Sequence, residues 1–151
     1  MAVRYAVDTN ILLRLSDVGD PRHKVIQDAV EHLVSDGVQL CFAPQSLGEF
    51  WNACTRPLNK NGFGLSIAET ATQFQSIERT MEPLVEDERV YRAWHHLLLL
   101  HKVRGVQVHD AHLAAVLEVH SVSNLLTLNG ADFKRFPHIV AVHPQDLVHQ
   151  G

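Results

Sequence analysis

Tyr5-Ala6-Val7-Asp8-Thr9-Asn10 sets a short apolar run directly before an acid. Arg4 to Val7 has the length and character of a buried strand, and Asp8 stands where it ends. The same figure returns along the chain. Val38 to Ala43 is a nearly continuous apolar run, of the kind needed by a sheet covered on both faces, and Pro44 ends it. Asn124 to Leu128 and Ile139 to Val142 are two more such runs, and Pro83-Leu84-Val85 suggests a short edge strand.

Between these runs the apolar period becomes helical. Val25, Ile26, Ala29, Val30, Leu33 and Val34 share a helical stripe, with Gly37 as its stop. Ser46 opens a helix that carries Leu47, Phe50, Trp51 and Cys54 on one face and closes at Arg56-Pro57, and residues 59–64 form a loop. Ser66-Ile67-Ala68-Glu69 is a capping-box pattern ahead of a stripe of Ile67, Ala71, Phe74 and Ile77. Asp87 can cap a helix bearing Val90, Trp94, Leu97, Leu98 and His101, with Gly105 at its end. Asp110 starts another helix through Leu113 and Leu117. This alternation predicts an α/β fold with a central, mainly parallel sheet covered on both faces. Ligands of such sheets bind outside the carboxyl ends of the strands. Asp8 and Asn129 both fall at such ends.

Bulk composition narrows the function classes. At 151 residues, one domain over residues 1–151 with one core is expected. A net charge of −4 excludes the strongly basic footprint of many nucleic-acid binders. Any nucleic-acid contact then needs a local basic patch or bound cations. No apolar run nears the roughly 20 residues of a membrane span. The start of the chain lacks a signal-peptide pattern, so a cytoplasmic protein without membrane contact is expected. Cys41 and Cys54 sit among apolar neighbours, as reduced core residues do.

Acids or amides stand at element boundaries in four places: Asp8; Glu49, in the first turn after the second strand; Asp110; and Asn129 with Asp132. Each has a plain structural reading. Asp8 and Asn129-Gly130 suit turns, Ser46 to Glu49 suits a capping box, and Asp110 suits an N-cap. Capping and metal binding do not exclude one another, because both use the helix N-terminus. Taken together, the four positions fall at one edge of an α/β sheet. Several acids gathered there repel one another unless a cation or protons neutralise them. Hard cations such as Mg²⁺ or Mn²⁺ take oxygen ligands and assist phosphodiester hydrolysis.

Four stretches, in order, carry a family resemblance. Tyr5 to Leu12 resembles the opening strand and acid of a PIN domain. Ala43 to Phe50, running on to Thr55-Arg56-Pro57, resembles the helix of its second acid. His109 to Ala115 resembles the helix of the third, and Thr127-Leu128-Asn129 with Asp132-Phe133 resembles the fourth motif. The resemblance implies a PIN-like three-layer sandwich with about five strands, a bound Mg²⁺ or Mn²⁺, and RNA as substrate. It implies that Asp8 and Asp110 hold the metal and that Glu49 helps bind metal or position water. Asn129 departs from the Asp often found at the fourth position. It keeps a carbonyl oxygen without charge, and Asp132 either compensates or is structural. The length resembles free-standing VapC-type toxins, which implies a small antitoxin partner and a homodimer.

Rival readings remain. A PIN-type RNA-processing nuclease, or a PIN fold that only binds RNA or a partner, fits the same motifs. A receiver-like signalling domain would need a Lys after the last strand, and none follows Val142. A dehalogenase-type phosphatase would need Asp where Asn10 stands. The eleven histidines lack the cysteine–histidine spacing of a structural zinc site, although His109 and His112 flank Asp110. Trp51 and Trp94 fall on apolar stripes, as core residues. Arg14, Arg56, Lys60, Lys134 and Arg135 lie near the acid motifs, either as a phosphate-binding rim or as scattered surface charge.

Overall fold

A computed structural model describes residues 2–148; the outermost residues of the expected domain lie outside it. Five strands form the sheet: β1 (Arg4–Val7), β2 (Gln39–Phe42), β3 (Glu82–Pro83), β4 (Asn124–Leu126) and β5 (Val140–Val142). Their order is β3-β2-β1-β4-β5, and every pairing is parallel. The expected "mainly parallel" sheet is therefore parallel throughout. β3 is the short edge strand, a position that tolerates the missing N–H of Pro83.

Seven helices surround the sheet among the described residues: α1 (Thr9–Ser16), α2 (His23–Ser35), α3 (Gln45–Thr55), α4 (Ile67–Thr80), α5 (Glu88–Leu100), α6 (Val108–Val119) and α7 (Pro144–Val148). Strand residues alternate between two cores. Ala6, Cys41 and Leu125 meet Val90 and Leu97 of α5 and the buried side of α6. Val7, Leu40, Phe42 and Leu126 meet Ile11, Ile26, Phe50, Phe74 and Leu147 from α1, α2, α3, α4 and α7. One core on each face makes three layers. Cys41 and Cys54 are free and buried, and burial pushes both thiols up to about 11. No helix among the described residues is long and apolar enough to cross a membrane.

Several sequence expectations need correction. Residues 9–16 carried no helix in the expected pattern, yet they form α1, capped by Asp8. α3 starts at Gln45 rather than Ser46, after Pro44 with its helical φ of −56°. Ser46 lies inside the helix and is buried, so the expected capping box at Ser46 to Glu49 does not form. Glu49 stands beyond the first turn, and the buried face is Ser46, Phe50 and Cys54, with Leu47 turned outward. In α4 the capping box of Ser66 and Glu69 is present, but the buried stripe is Thr70, Phe74 and Ile77. Ile67 is 63% exposed. Thr70 can be buried because its hydroxyl donates back to Ser66 O at 2.9 Å.

The chain leaves β1 toward β2 and β3 on one side, then crosses to β4 and β5 on the other. The switch point lies between β1 and β4, and this is where an open parallel sheet leaves a crevice at its carboxyl edge.

Candidate active site

An open cleft of about 390 Å³ occupies that crevice. Asp8, Glu49, Asp110, Asn129 and Asp132 all line it, together with Thr9, Asn10, Leu13, Arg14, Asn52, Ala53, Arg56 and Phe133. The four stretches of sequence thus meet in one cleft, for reasons local to each. Asp8 ends β1, where its backbone N–H donates to Leu126 O at 3.0 Å and its carboxylate accepts from Thr9 N–H at 2.8 Å to cap α1. Glu49 stands on the open side of α3, whose other side is fixed by Phe50 and Cys54. Asp110 lies within the first turn of α6, not at its N-cap, which is Gln107. Ala111 and Leu113 to Leu117 of α6 are buried, so the helix is held firmly with Asp110 at its open end. Asn129 and Asp132 belong to a 3₁₀ turn after β4, Gly130–Phe133, pinned by the buried Phe133.

A hydrogen-bond network ties these elements together. Thr127 Oγ1 donates to Asp8 Oδ2 at 2.7 Å, and Asn10 Nδ2 donates to the same oxygen at 3.4 Å. Leu128 N–H donates to Asn10 Oδ1 at 3.3 Å, so Asn10 bridges α1 to the end of β4. Thr9 Oγ1 donates to Glu49 Oε1 at 3.2 Å. Thr9, Asn10 and Thr127 were not named as site residues from the sequence. The adjacency of Thr9 and Asn10 to Asp8 was visible there; the reach of Thr127 was not.

The acids raise one another. Burial pushes the Asp8 carboxyl up, and Asp132 adds to this, against the hydrogen bonds from Thr127, Thr9 and Asn10 that lower it. Desolvation also pushes Glu49 up, with Asp8 contributing. Asp110 rises from 3.8 to about 6, first through burial and then through the charges of Asp132, Asp8 and Glu49. Among the described residues no three His, Cys, Asp or Glu side chains converge closely enough to form a ready-made metal cage. The donors are nonetheless all hard oxygens, short of positive charge. A cation held by one or two carboxylates and completed by waters needs no cage of three.

The flanking residues divide. His109 lies close enough to Glu49 and Asp110 to favour their ionised forms. His112 turns away. It pairs with Glu86 and stacks on Trp94, ring centroids 4.1 Å apart. Trp94 is half-buried rather than core, and its Nε1 donates to Val108 O at 3.0 Å, bracing the start of α6. Of the five basic residues, Arg14 and Arg56 line the cleft; Lys60, Lys134 and Arg135 do not.

The model of the PIN domain matches residues 5–139. Among curated proteins no sequence matches. Solved structures share the fold at low identity. A chain of VapBC2 from Rickettsia felis, solved with a DNA fragment from its promoter, superposes with a TM-score of 0.68 at 14% identity, covering 93% of this chain and 98% of that one. A chain of VapBC-1 from nontypeable Haemophilus influenzae gives 0.67 at 18%, covering 94% and 98%. VapC20 from Mycobacterium tuberculosis, described as a toxin that cleaves the sarcin–ricin loop, gives 0.60 at 20%, covering 89% and 98%.

Proposed function

The chain belongs to the PIN-domain family of nucleases, and on that premise we propose that it is a metal-dependent endoribonuclease acting as the toxin of a VapBC-type pair. One observation supports the reading most: Asp8, Glu49, Asp110, Asn129 and Asp132, from four separate stretches, line a single cleft at the sheet's switch point. Asp8 and Asp110 are the residues that would hold Mg²⁺, with Mn²⁺ as a substitute. When bound, the cation supplies positive charge against the phosphate and makes a water more acidic. Loss of charge at Asn129 is offset by Asp132 in the same cleft, so the carboxylate count does not depend on position 129.

The protein's own groups then have distinct tasks. Thr127, Thr9 and Asn10 hold the Asp8 carboxylate in one orientation. Glu49, its carboxyl pushed up by burial and positioned by Thr9, can accept a proton from the attacking water. The water oxygen bonds to phosphorus, the bond from phosphorus to the leaving oxygen breaks, and that oxygen takes up a proton.

Likeness to VapBC complexes supports a cognate antitoxin as partner, and likeness to VapC20 favours RNA as the substrate; the homodimer rests on the family resemblance alone. Induced expression of the chain alone in bacteria tests the toxin reading. Growth should arrest, and Asp8→Ala should relieve the arrest. Normal growth at verified high expression of a soluble, active nuclease would favour an RNA-processing enzyme instead.

A further inference from the structure

Arg56 ends α3 at the wall of the cleft, and the chain after it folds back to hold it there. Phe63 N–H donates to Ala53 O at 2.9 Å, Leu65 N–H to Cys54 O at 2.8 Å, and Gly64 N–H to Arg56 O at 2.9 Å. Gly62 packs so tightly that a Cβ there would stand 1.9 Å from Arg56 O. The Arg56 guanidinium donates to Asn61 O at 3.0 Å. Among the described residues it makes no ion pair, and its buried Nε meets no acceptor.

Arg14 comes from α1 to the same cleft. It pairs with Asp20 at 3.1 Å, but Asp20 is shared with Arg22 at 3.2 Å. One carboxylate between two guanidiniums leaves a positive charge unmatched. The contact with Asp20 is an ion pair off the hydrogen-bond direction, so the buried Arg14 Nε is also unsatisfied. Neither arginine forms an ion pair with Asp8, Glu49, Asp110 or Asp132 among the described residues. The cleft therefore has an acidic part and a cationic part with no ion pair between them among the described residues.

We propose that Arg14 and Arg56 form a second phosphate subsite, which seats the phosphate next to the scissile one in single-stranded RNA. The proposal rests on the nuclease reading of the cleft. A guanidinium presents planar, paired donors that match phosphate oxygens, and Arg56 brings its charge to the cleft without an ion pair among the described residues. With the scissile phosphate at the acids, the next phosphate meets the arginines and fixes how far the strand extends.

The test uses a fluorescein-labelled hexaribonucleotide, bound to Asp110→Asn protein so that it is not cut. Adding Arg56→Gln should weaken binding about ten- to a hundredfold, the range for a hydrogen bond to a charged group. It should also lower the slope of log affinity against log salt by about 1. Arg56→Lys should recover part of the loss. Neutral methylphosphonate linkages, scanned along the oligonucleotide, should reveal one position that weakens the arginine-containing protein but not the Arg56→Gln form. A folded Arg56→Gln protein, judged by its melt, with unchanged affinity and salt slope overturns the proposal. So does a scan in which no position is absorbed by the variant. If the variant spares RNA binding but weakens the antitoxin complex, the arginines serve the partner and the RNA subsite is wrong. If RNA binding depends on Arg56 but the parent protein cuts no RNA with Mg²⁺, the subsite stands and the cleavage reading falls.

Discussion

Thr127 Oγ1 reaches across 119 positions of chain to donate a 2.7 Å hydrogen bond to the Asp8 carboxylate. The contact exists because β1 and β4 run parallel with Val7 opposite Leu126, so the residues that follow each strand are neighbours. Thr127 is 1% exposed, and its oxygen also accepts from Asn129 N–H at 3.0 Å. One hydroxyl thereby orients an acid and pins the turn that carries Asn129 and Asp132.

Thr127→Val keeps the shape and removes both bonds. Stability should fall by about 1–3 kcal/mol, the cost of leaving buried partners unmade. The lost bond had held the Asp8 carboxyl down, so its pKa should rise further and the acid limb of the pH–rate profile should move to higher pH. Thr127→Ser should restore both properties. Urea denaturation and a pH–rate series check this; an unmoved acid limb in the Val variant would mean the bond does not tune Asp8.

Asp110 gives a second test with a definite sign. Folding raises its carboxyl from 3.8 to about 6, so the folded chain binds that proton more tightly than the unfolded chain. Its contribution to stability is fully present below pH 3.8 and is lost as pH rises from 3.8 to about 6. Asp110→Asn removes that dependence. Without metal the variant should melt level with or above the parent at neutral pH, with the difference shrinking toward about pH 4. Added Mg²⁺ should stabilise the parent more than the variant, since a ligand stabilises in proportion to its affinity. A variant that melts far below the parent at neutral pH without metal would make Asp110 a structural residue of α6.

Two glycines should answer oppositely to alanine. At Gly62 a Cβ would lie 1.9 Å from the backbone oxygen of Arg56, which cannot yield cheaply. Gly62→Ala should cost about 1–3 kcal/mol or more. At Gly48, inside α3, a Cβ meets nothing within 4 Å. Gly48→Ala should gain about 0.5–1 kcal/mol. Equal effects in urea denaturation would contradict the packing of the loop against Arg56.

The parallel α/β layout was legible because each strand is a short apolar run with a clear stop, and because helical stripes lie between them. α1 was not, since its eight residues bury only Thr9, Ile11 and Leu12, too few to show a helical period in sequence. The early start of α3 was hidden by Ser46, whose spacing to Glu49 imitates a cap while Pro44 begins the turn two residues sooner. The stripe of α4 was misplaced because Thr70 counts as polar in sequence, although its back-bond to Ser66 lets it face the core. Asp8, Asp110, Asn129 and Asp132 could be named because each sits at or near an element boundary, and Glu49 because it completes the ordered motifs, although it lies inside α3. Thr127 and the choice of Arg14 and Arg56 over the other basic residues depend on long-range register and loop closure, which no local pattern encodes.

Cleavage of single-stranded RNA by the purified protein, in EDTA and then with Mg²⁺ or Mn²⁺, tests the central claim most directly. Asp8→Asn and Asp110→Asn proteins, shown by their melts to be folded, run beside the parent. The expected result is no cleavage in EDTA, recovery with either cation, and a loss of orders of magnitude in both variants. Cleavage that persists in EDTA with contaminating nuclease excluded, or full activity in both variants, would contradict it.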